Sequence, residues 1–396
     1  MRGAPARKSI LRALAPMVFA AMFPAIAAAM ETPAENDRFQ AFLREFRAEA
    51  LDEGITAETY DRAVEGLMPS PRVVALNGNQ PEFVRPIWDY LAAAVSERRI
   101  AQGREQLAAN AGLFGRIEMA QGVPREVLAA IWGMESNYGQ ARGAFNLFQA
   151  LATLAYDGRR QQYGRRQLLA ALRISQDEGI DPKEMTGSWA GAFGHTQFIP
   201  ATFLEYAIDG DGDGKRDLWN SAADALASAA NYLRRSGWRD GLRWGDEVRL
   251  PGGFAYESAD TSLRRPRGEW ASLGLRPVSG ADLDSAEAEA AVYLPAGAGG
   301  PAFLINGNFN AILRYNPAAS YALAIGVLSD MLAGRPGIIG MWPGEADPLT
   351  SAQRITLQEG LTALGYDTGG TDGVISGERN HRVSIDEVYV ARIVRR

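Results

Sequence analysis

Ala-rich stretches with apolar residues at helical spacing, broken by glycine-dense turns, run from residue 36 to residue 232 and force this chain to pack helix against helix. Phe39, Phe42, Leu43 and Phe46, then Ile87, Tyr90, Leu91 and Val95, fall on single helical faces. The pattern continues from Val123 to Tyr232 around turns at 139–143, 187–194 and 209–214. Between Trp244 and Pro317 the character changes to Gly, Pro and short runs such as 291–294 and 303–305, which predict a small strand-containing subdomain. A last helix is expected over Ala318–Leu332, and Gly334-Arg335-Pro336-Gly337 and Pro343-Gly344 have the composition of a linker. The expected organisation is mainly α (α+β): a domain over 36–332, a linker over 333–346 and a short helical module over 347–396.

The 396 residues, 46% hydrophobic and 22% charged, suit a soluble globular protein with a sizeable core. There is no cysteine, and His195 and His381 are the two histidines. Disulfides, thiol nucleophiles, Cys-ligated zinc and multi-His metal centres are thereby excluded. No G-x-x-x-x-G-K-[ST] loop supports a nucleotide role, so carboxylates, hydroxyls and amines are left to carry any chemistry, with no organic cofactor expected.

Residues 1–29 carry Arg2, Arg7, Lys8 and Arg12, then the apolar run Ala13–Ile26, then Ala27-Ala28-Ala29, the order of a secretory signal peptide. The apolar run, about 14 residues, is shorter than the roughly 20 that span a bilayer, which favours cleavage over a membrane anchor. Removing the leader takes the net charge from −6 to −10, a balance that disfavours nucleic acid. Without cysteine there is no lipobox. The expected mature protein is therefore periplasmic and soluble, neither a lipoprotein nor membrane-spanning, with the cell-wall polysaccharide as its leading substrate.

One helix carries the candidate acid. Pro124 at the expected first helical position, Glu126 in the first turn and Gly139 as a stop delimit it. Leu128, Ile131 and Glu135 lie at i, i+3 and i+7, so the carboxylate shares the apolar stripe and points inward. Desolvation raises the pKa of such a group, and the negative end of the helix dipole adds to the effect, which suits a general acid. A buried ion pair, with Arg142 for example, fits the same pattern. Further on, Gly187–Pro200 combines close-approach glycines with the Ser188 hydroxyl, the Gln197 amide and aromatic rings, the groups that sugar rings require. A tight interhelical loop has the same composition.

Three motifs in order, Trp132–Gly139, Gly187–Pro200 and Asp209–Trp219, resemble the membrane-bound lytic murein transglycosylase B family, glycoside hydrolase family 103. Further matches are Ala150–Arg160, Ala230–Leu233 with Gly237-Trp238, and Arg314-Tyr315-Asn316, and the resemblance covers residues 36–332. It implies a lysozyme-like domain that cleaves the MurNAc-β-1,4-GlcNAc bond of peptidoglycan glycan strands and leaves a 1,6-anhydroMurNAc end. Glu135 would act alone, first as acid and then as base. Ser188 and Gln197 would hydrogen-bond the reacting sugar, Tyr232 and Tyr315 would supply walls, and Arg159 and Arg160 would meet the acidic lactyl-peptide side. For the two arginines a solvated surface is the alternative. A hydrolytic muramidase and a non-catalytic wall-binding protein are the competing readings of the chain.

Asp209, Asp211, Asp213 and Gly214 fit positions 1, 3, 5 and 6 of a calcium loop, with the Lys215 carbonyl at position 7 and Asp217 at position 9. Position 12 is Asn220 where a bidentate Glu is usual, and Asp224 is the nearest carboxylate that could replace it. The family resemblance implies a single structural Ca²⁺ site here. Asp347–Gly373 resembles the first half of a peptidoglycan-binding domain 1 module. From Val374 to Arg396 the sequence departs from that module's pattern, so poor packing and impaired wall binding are expected of the tail.

Overall fold

The computed structural model describes residues 33–78, 86–157, 160–283, 285–343, 351–365, 368 and 370–371. The expected signal peptide, Arg159 and the divergent stretch 374–396 lie outside the described residues. Helices α1 (Pro33–Asp52), α2 (Ala57–Val64), α3 (Pro71–Gly78), α4 (Ile87–Ala94), α5 (Glu97–Ala109) and α6 (Ala111–Gln121) lead into α7 (Arg125–Ser136). The next group is α8 (Leu147–Tyr156), α9 (Gln161–Glu178), α10 (Pro200–Tyr206) and α11 (Ala222–Arg235), with a two-residue pair β1 (Phe145–Asn146) and β2 (Thr186–Gly187). Local chemistry sets the boundaries. Thr56, Ser96, Asn146 and Ser221 each accept a backbone N–H of the first turn that follows, and Gly122 and Gly179 close α6 and α9 in the left-handed conformation.

The strand-bearing subdomain contains β3 (Gly245–Arg249), β4 (Arg265–Pro266), α12 (Arg267–Ser272), β5 (Arg276–Pro277), β6 (Glu289–Tyr293) and β7 (Ala302–Asn306). Its antiparallel sheet has the order β4-β6-β7-β3-β5, with Val292 opposite Leu304 and Val248 opposite Ala302. Alternation along β7 serves two cores at once. Leu304 joins Trp270 and Val292 in a small cluster on one face, whereas Phe303 and Ile305 enter the main core on the other. The chain then forms α13 (Gly307–Tyr315) and α14 (Ala319–Leu332), and α15 (Ser351–Ala363) lies in the expected C-terminal module.

Helix α7 is the axis of the main core, packed by α14, α5, α6 and α11. Every residue from Val127 to Gly133 is buried, so the helix is apolar on all sides rather than striped. The sequence argument from Leu128 and Ile131 thus picked one of several buried faces. What aims Glu135 is its place at the end of the helix. A second core gathers α1, α8, α9 and Trp219, and Tyr315 packs against both cores.

Residues 333–343, read from composition as a linker, lie against the body. Ile338 and Trp342 pack on the main core, the Trp342 and Trp88 rings are 6.2 Å apart, and the Glu247 carboxylate accepts the Ile339 and Gly340 amides at 2.7 and 2.6 Å. Among the described residues no helix is long and apolar enough to cross a membrane.

Candidate active site

The last turn of α7 does not run to Gly139. It stops at Ser136, and Asn137, Tyr138 and Gly139 follow with φ of 49°, 58° and 83°. Two non-glycine residues in the left-handed region cost on the order of 1 kcal/mol each, so the surrounding contacts must hold them there. Pro124 sits at the N-cap, one position before its expected place. At the other end Glu135 is half-buried, and its carboxylate accepts the Tyr321 hydroxyl at 2.6 Å. Desolvation pushes its pKa up to about 7, against the pull of that hydrogen bond, which favours the anion. Tyr90, Tyr315 and Tyr321 all stand close enough for the Glu135 charge to raise their own pKa. Among the described residues no ion pair to Glu135 is found, and Arg142 donates instead to the Trp219 carbonyl.

The glycine-rich loop closes on this turn. β1 and β2 pair Phe145 with Gly187, and a side chain at Gly143 (φ 93°) would put its Cβ 2.1 Å from the Gly187 carbonyl carbon, so glycine is required there. The Ser188 hydroxyl accepts the Ala192 amide at 3.0 Å, which leaves its own proton available as a donor. Gln197, at φ 50°, gives its side-chain N–H groups to the Arg142 and Gly194 carbonyls, leaving the amide oxygen as an acceptor. Tyr315 and Tyr232 donate to the Thr196 and Arg314 carbonyls, and their rings meet edge to face at 5.1 Å. Both hydroxyls are thereby tied back to backbone carbonyls.

Arg160 lies over the Trp189 ring at 5.6 Å, and Arg72 lies over Phe145 at 4.8 Å. Both aromatic rings rest on the small cluster of Val73, Ala150 and Leu154. Sequence reading missed Tyr321 and Tyr90, which on apolar helices look like core residues.

In the acidic loop, Asp209, Asp211 and Asp213 bring carboxylate oxygens within 4.8 Å of one another. Asp209 is held below the usual carboxylate range by the Gly214 and Gly212 amides. Lys215 follows, its amide bonded to Asp213. Asp217 and Asp224 are not gathered with the three. Asp217 accepts the Trp219 and Asn220 amides, and buried Asp224 accepts those of Gly210, Asp211 and Asp217, so both pin the loop's backbone. A cavity of about 240 Å³ lies at the opposite end of α7, lined by Glu126, Trp238, Arg243 and Asp330. Of the predicted site residues, Tyr315 stands close enough to Glu135 to feel its charge, and Tyr232 packs against Tyr315.

A family model described as the Transglycosylase SLT domain matches residues 38–330. The chain belongs to that family. It is 34% identical over 226 residues to the membrane-bound lytic murein transglycosylase B of Escherichia coli K12, a match covering 56% of this chain and 60% of that relative's length. SltB3 of Pseudomonas aeruginosa, solved in complex with NAG-anhNAM-pentapeptide, superposes with a TM-score of 0.81 at 49% identity, over 86% of this chain and 91% of that one. The Escherichia coli lytic transglycosylase Slt35 in complex with calcium gives a TM-score of 0.64 at 27% identity, over 76% of this chain and 94% of that one. The expected mainly α, lysozyme-like fold with a small sheet subdomain is the fold these relatives share with the chain.

Proposed function

We propose that the chain is a periplasmic lytic transglycosylase that cleaves the MurNAc-β-1,4-GlcNAc bond of peptidoglycan and closes the MurNAc product as a 1,6-anhydro sugar. The observation that carries this reading is Glu135: a desolvated carboxyl with a pKa of about 7, which no second carboxylate perturbs among the described residues. Two-carboxylate glycosidases divide the acid and nucleophile or base roles between side chains. A lone group poised near neutrality performs both in turn. Glu135 gives its proton to the glycosidic oxygen as the C1–O bond breaks, and the departing GlcNAc keeps that proton as its O4 hydroxyl. The 2-acetamido carbonyl of MurNAc stabilises the developing charge at C1. The carboxylate then takes the proton from the C6 hydroxyl as O6 bonds to C1, which restores protonated Glu135 without water.

Ser188 supplies the free hydroxyl proton, Gln197 the acceptor oxygen, and Tyr232 and Tyr315 the walls. Arg160, with Arg159 beside it in sequence, faces the acidic peptide substituent; the relative SltB3 is known with peptide-bearing ligands. In the acidic loop the all-oxygen donor set fits a hard cation. Asp209, Asp211, Asp213 and the Lys215 carbonyl would hold Ca²⁺, which would supply cross-linking charge to the loop and take no part in the reaction. Residues 1–29 act as the export signal, and 347–373 as a weakened wall-binding module.

Mass spectrometry of digested sacculi tests the reading. The expected product is an anhydro muropeptide, one water lighter than the hydrolytic one, and Glu135→Gln should lower its release by roughly 10³-fold or more while sparing the fold. A reducing MurNAc end would establish a muramidase instead, and no release from the wild-type chain would establish a binding protein.

A further inference from the structure

The end of α7 is held by a residue that the proposed reaction does not use. Trp132 is buried, and its indole N–H donates to His195 Nδ1 at 3.1 Å. A buried indole N–H left without an acceptor costs about 1–3 kcal/mol, so this contact has consequences for the helix that carries it. The Ser136 hydroxyl donates to the His195 carbonyl at 2.6 Å and accepts the Gly139 amide at 2.9 Å. A Cβ at Gly139 would stand 2.5 Å from the imidazole, so the ring lies directly against the left-handed turn. His195 is itself fixed by its amide, which donates to the Leu218 carbonyl at 3.0 Å. One residue of the glycine-rich loop thus grips α7 before and after Glu135.

We propose that His195 is a positioning residue for the reaction: it locks the final turn of α7 and so sets the direction in which Glu135 presents its carboxyl. The inference rests on Glu135 being the proton donor. The grip requires an unprotonated Nδ1, with the ring proton on Nε2. Burial and the neighbouring Arg142 push the imidazole down to about 4, opposed by Asp217, so the acceptor persists throughout the range in which Glu135 titrates. Among the described residues the titratable groups coupled to Glu135 are Tyr90, Tyr315 and Tyr321, and none of them changes charge in that range.

The decisive experiment compares His195→Leu, which removes the acceptor, with His195→Asn, whose side-chain oxygen occupies the Nδ1 position. On purified glycan strands, His195→Leu should lower kcat by about 10-fold or more with KM nearly unchanged, the pattern of a lost transition-state alignment. The alkaline limb of its kcat profile should also move, because a turned carboxyl meets different solvation. His195→Asn should restore both. Trp132→Phe, which deletes the donor, should reproduce the Leu phenotype, and the double variant should be no worse than either single one. If His195→Leu fails to fold, Trp132→Phe and His195→Asn carry the comparison. A wild-type kcat and pH limb in His195→Leu or Trp132→Phe, or an Asn variant as impaired as the Leu variant, would overturn the proposal. Inactivity of the wild-type chain would instead sink the reading of Glu135.

Discussion

Glu135 is costly to the folded protein when it is ionised, and that cost is measurable without any substrate. Its native pKa of about 7 lies above its ordinary 4.5, so the folded chain binds the proton more tightly than the unfolded chain. The stabilising contribution of the protonated group is complete below about pH 4.5 and is lost as pH rises through 7. Glutamine keeps the acceptor for Tyr321 and never ionises. Melting temperatures of wild type and Glu135→Gln should therefore keep a constant offset below about pH 4.5, shift in favour of the variant as pH rises from about 4.5 to 7, and hold that shift above it. After discounting for partial solvent access, the shift should be on the order of 1–3 kcal/mol, or a few degrees. Parallel melting curves across that range would mean a carboxyl at its ordinary pKa. Glu135 was legible in the sequence because helix signals and a motif converge on it. Tyr321 was not, since a tyrosine on an apolar helix looks like packing until the fold brings α14 across the end of α7.

Turns and loops do more of the positioning here than the helices they join. The left-handed run at 137–139 was read as a glycine stop at 139, because sequence rules favour glycine for that conformation and do not foresee asparagine and tyrosine held there by neighbours. The acidic loop was more legible, since its D-x-D-x-D-G spacing dictates which oxygens converge. Its closing residues were less so: Asp217 and Asp224 were candidate ligands by spacing, and the structure shows their carboxylates bonded to the loop's own amides. This division of labour shapes the expected metal response. Backbone bonds already organise the loop, and a cation binding only the native form would add stability through the three clustered carboxylates. Millimolar calcium should raise the melting temperature over chelator by about 2–3 kcal/mol equivalent at 100-fold saturation, and Asp211→Ala should abolish the rise. Identical melting in chelator and calcium would remove the site.

Residues 333–343, linker-like in composition, pack against the folded body. Gly334, Pro336, Gly337 and Pro343 look like a linker because such residues avoid regular structure, yet irregular backbone can still be buried and bonded. Glu247 on β3 caps the Ile339 and Gly340 amides, Trp342 rests beside Trp88 on α4, and α4 also carries Tyr90, which stands near Glu135. The strap therefore ties the sheet subdomain and the helix behind the candidate site into one unit. Two truncations separate this account from a free linker. Ending the chain after Pro343 keeps every one of these contacts and should leave the melting temperature unchanged. Ending it after Pro336 removes charge-assisted bonds to two amides and the burial of Ile338 and Trp342, together worth about 2–5 kcal/mol. That shorter chain should melt several degrees lower and, through Trp88 and α4, release muropeptides more slowly. Equal melting temperatures for the two truncations would show that the body closes at α14 and that the strap only rests on it.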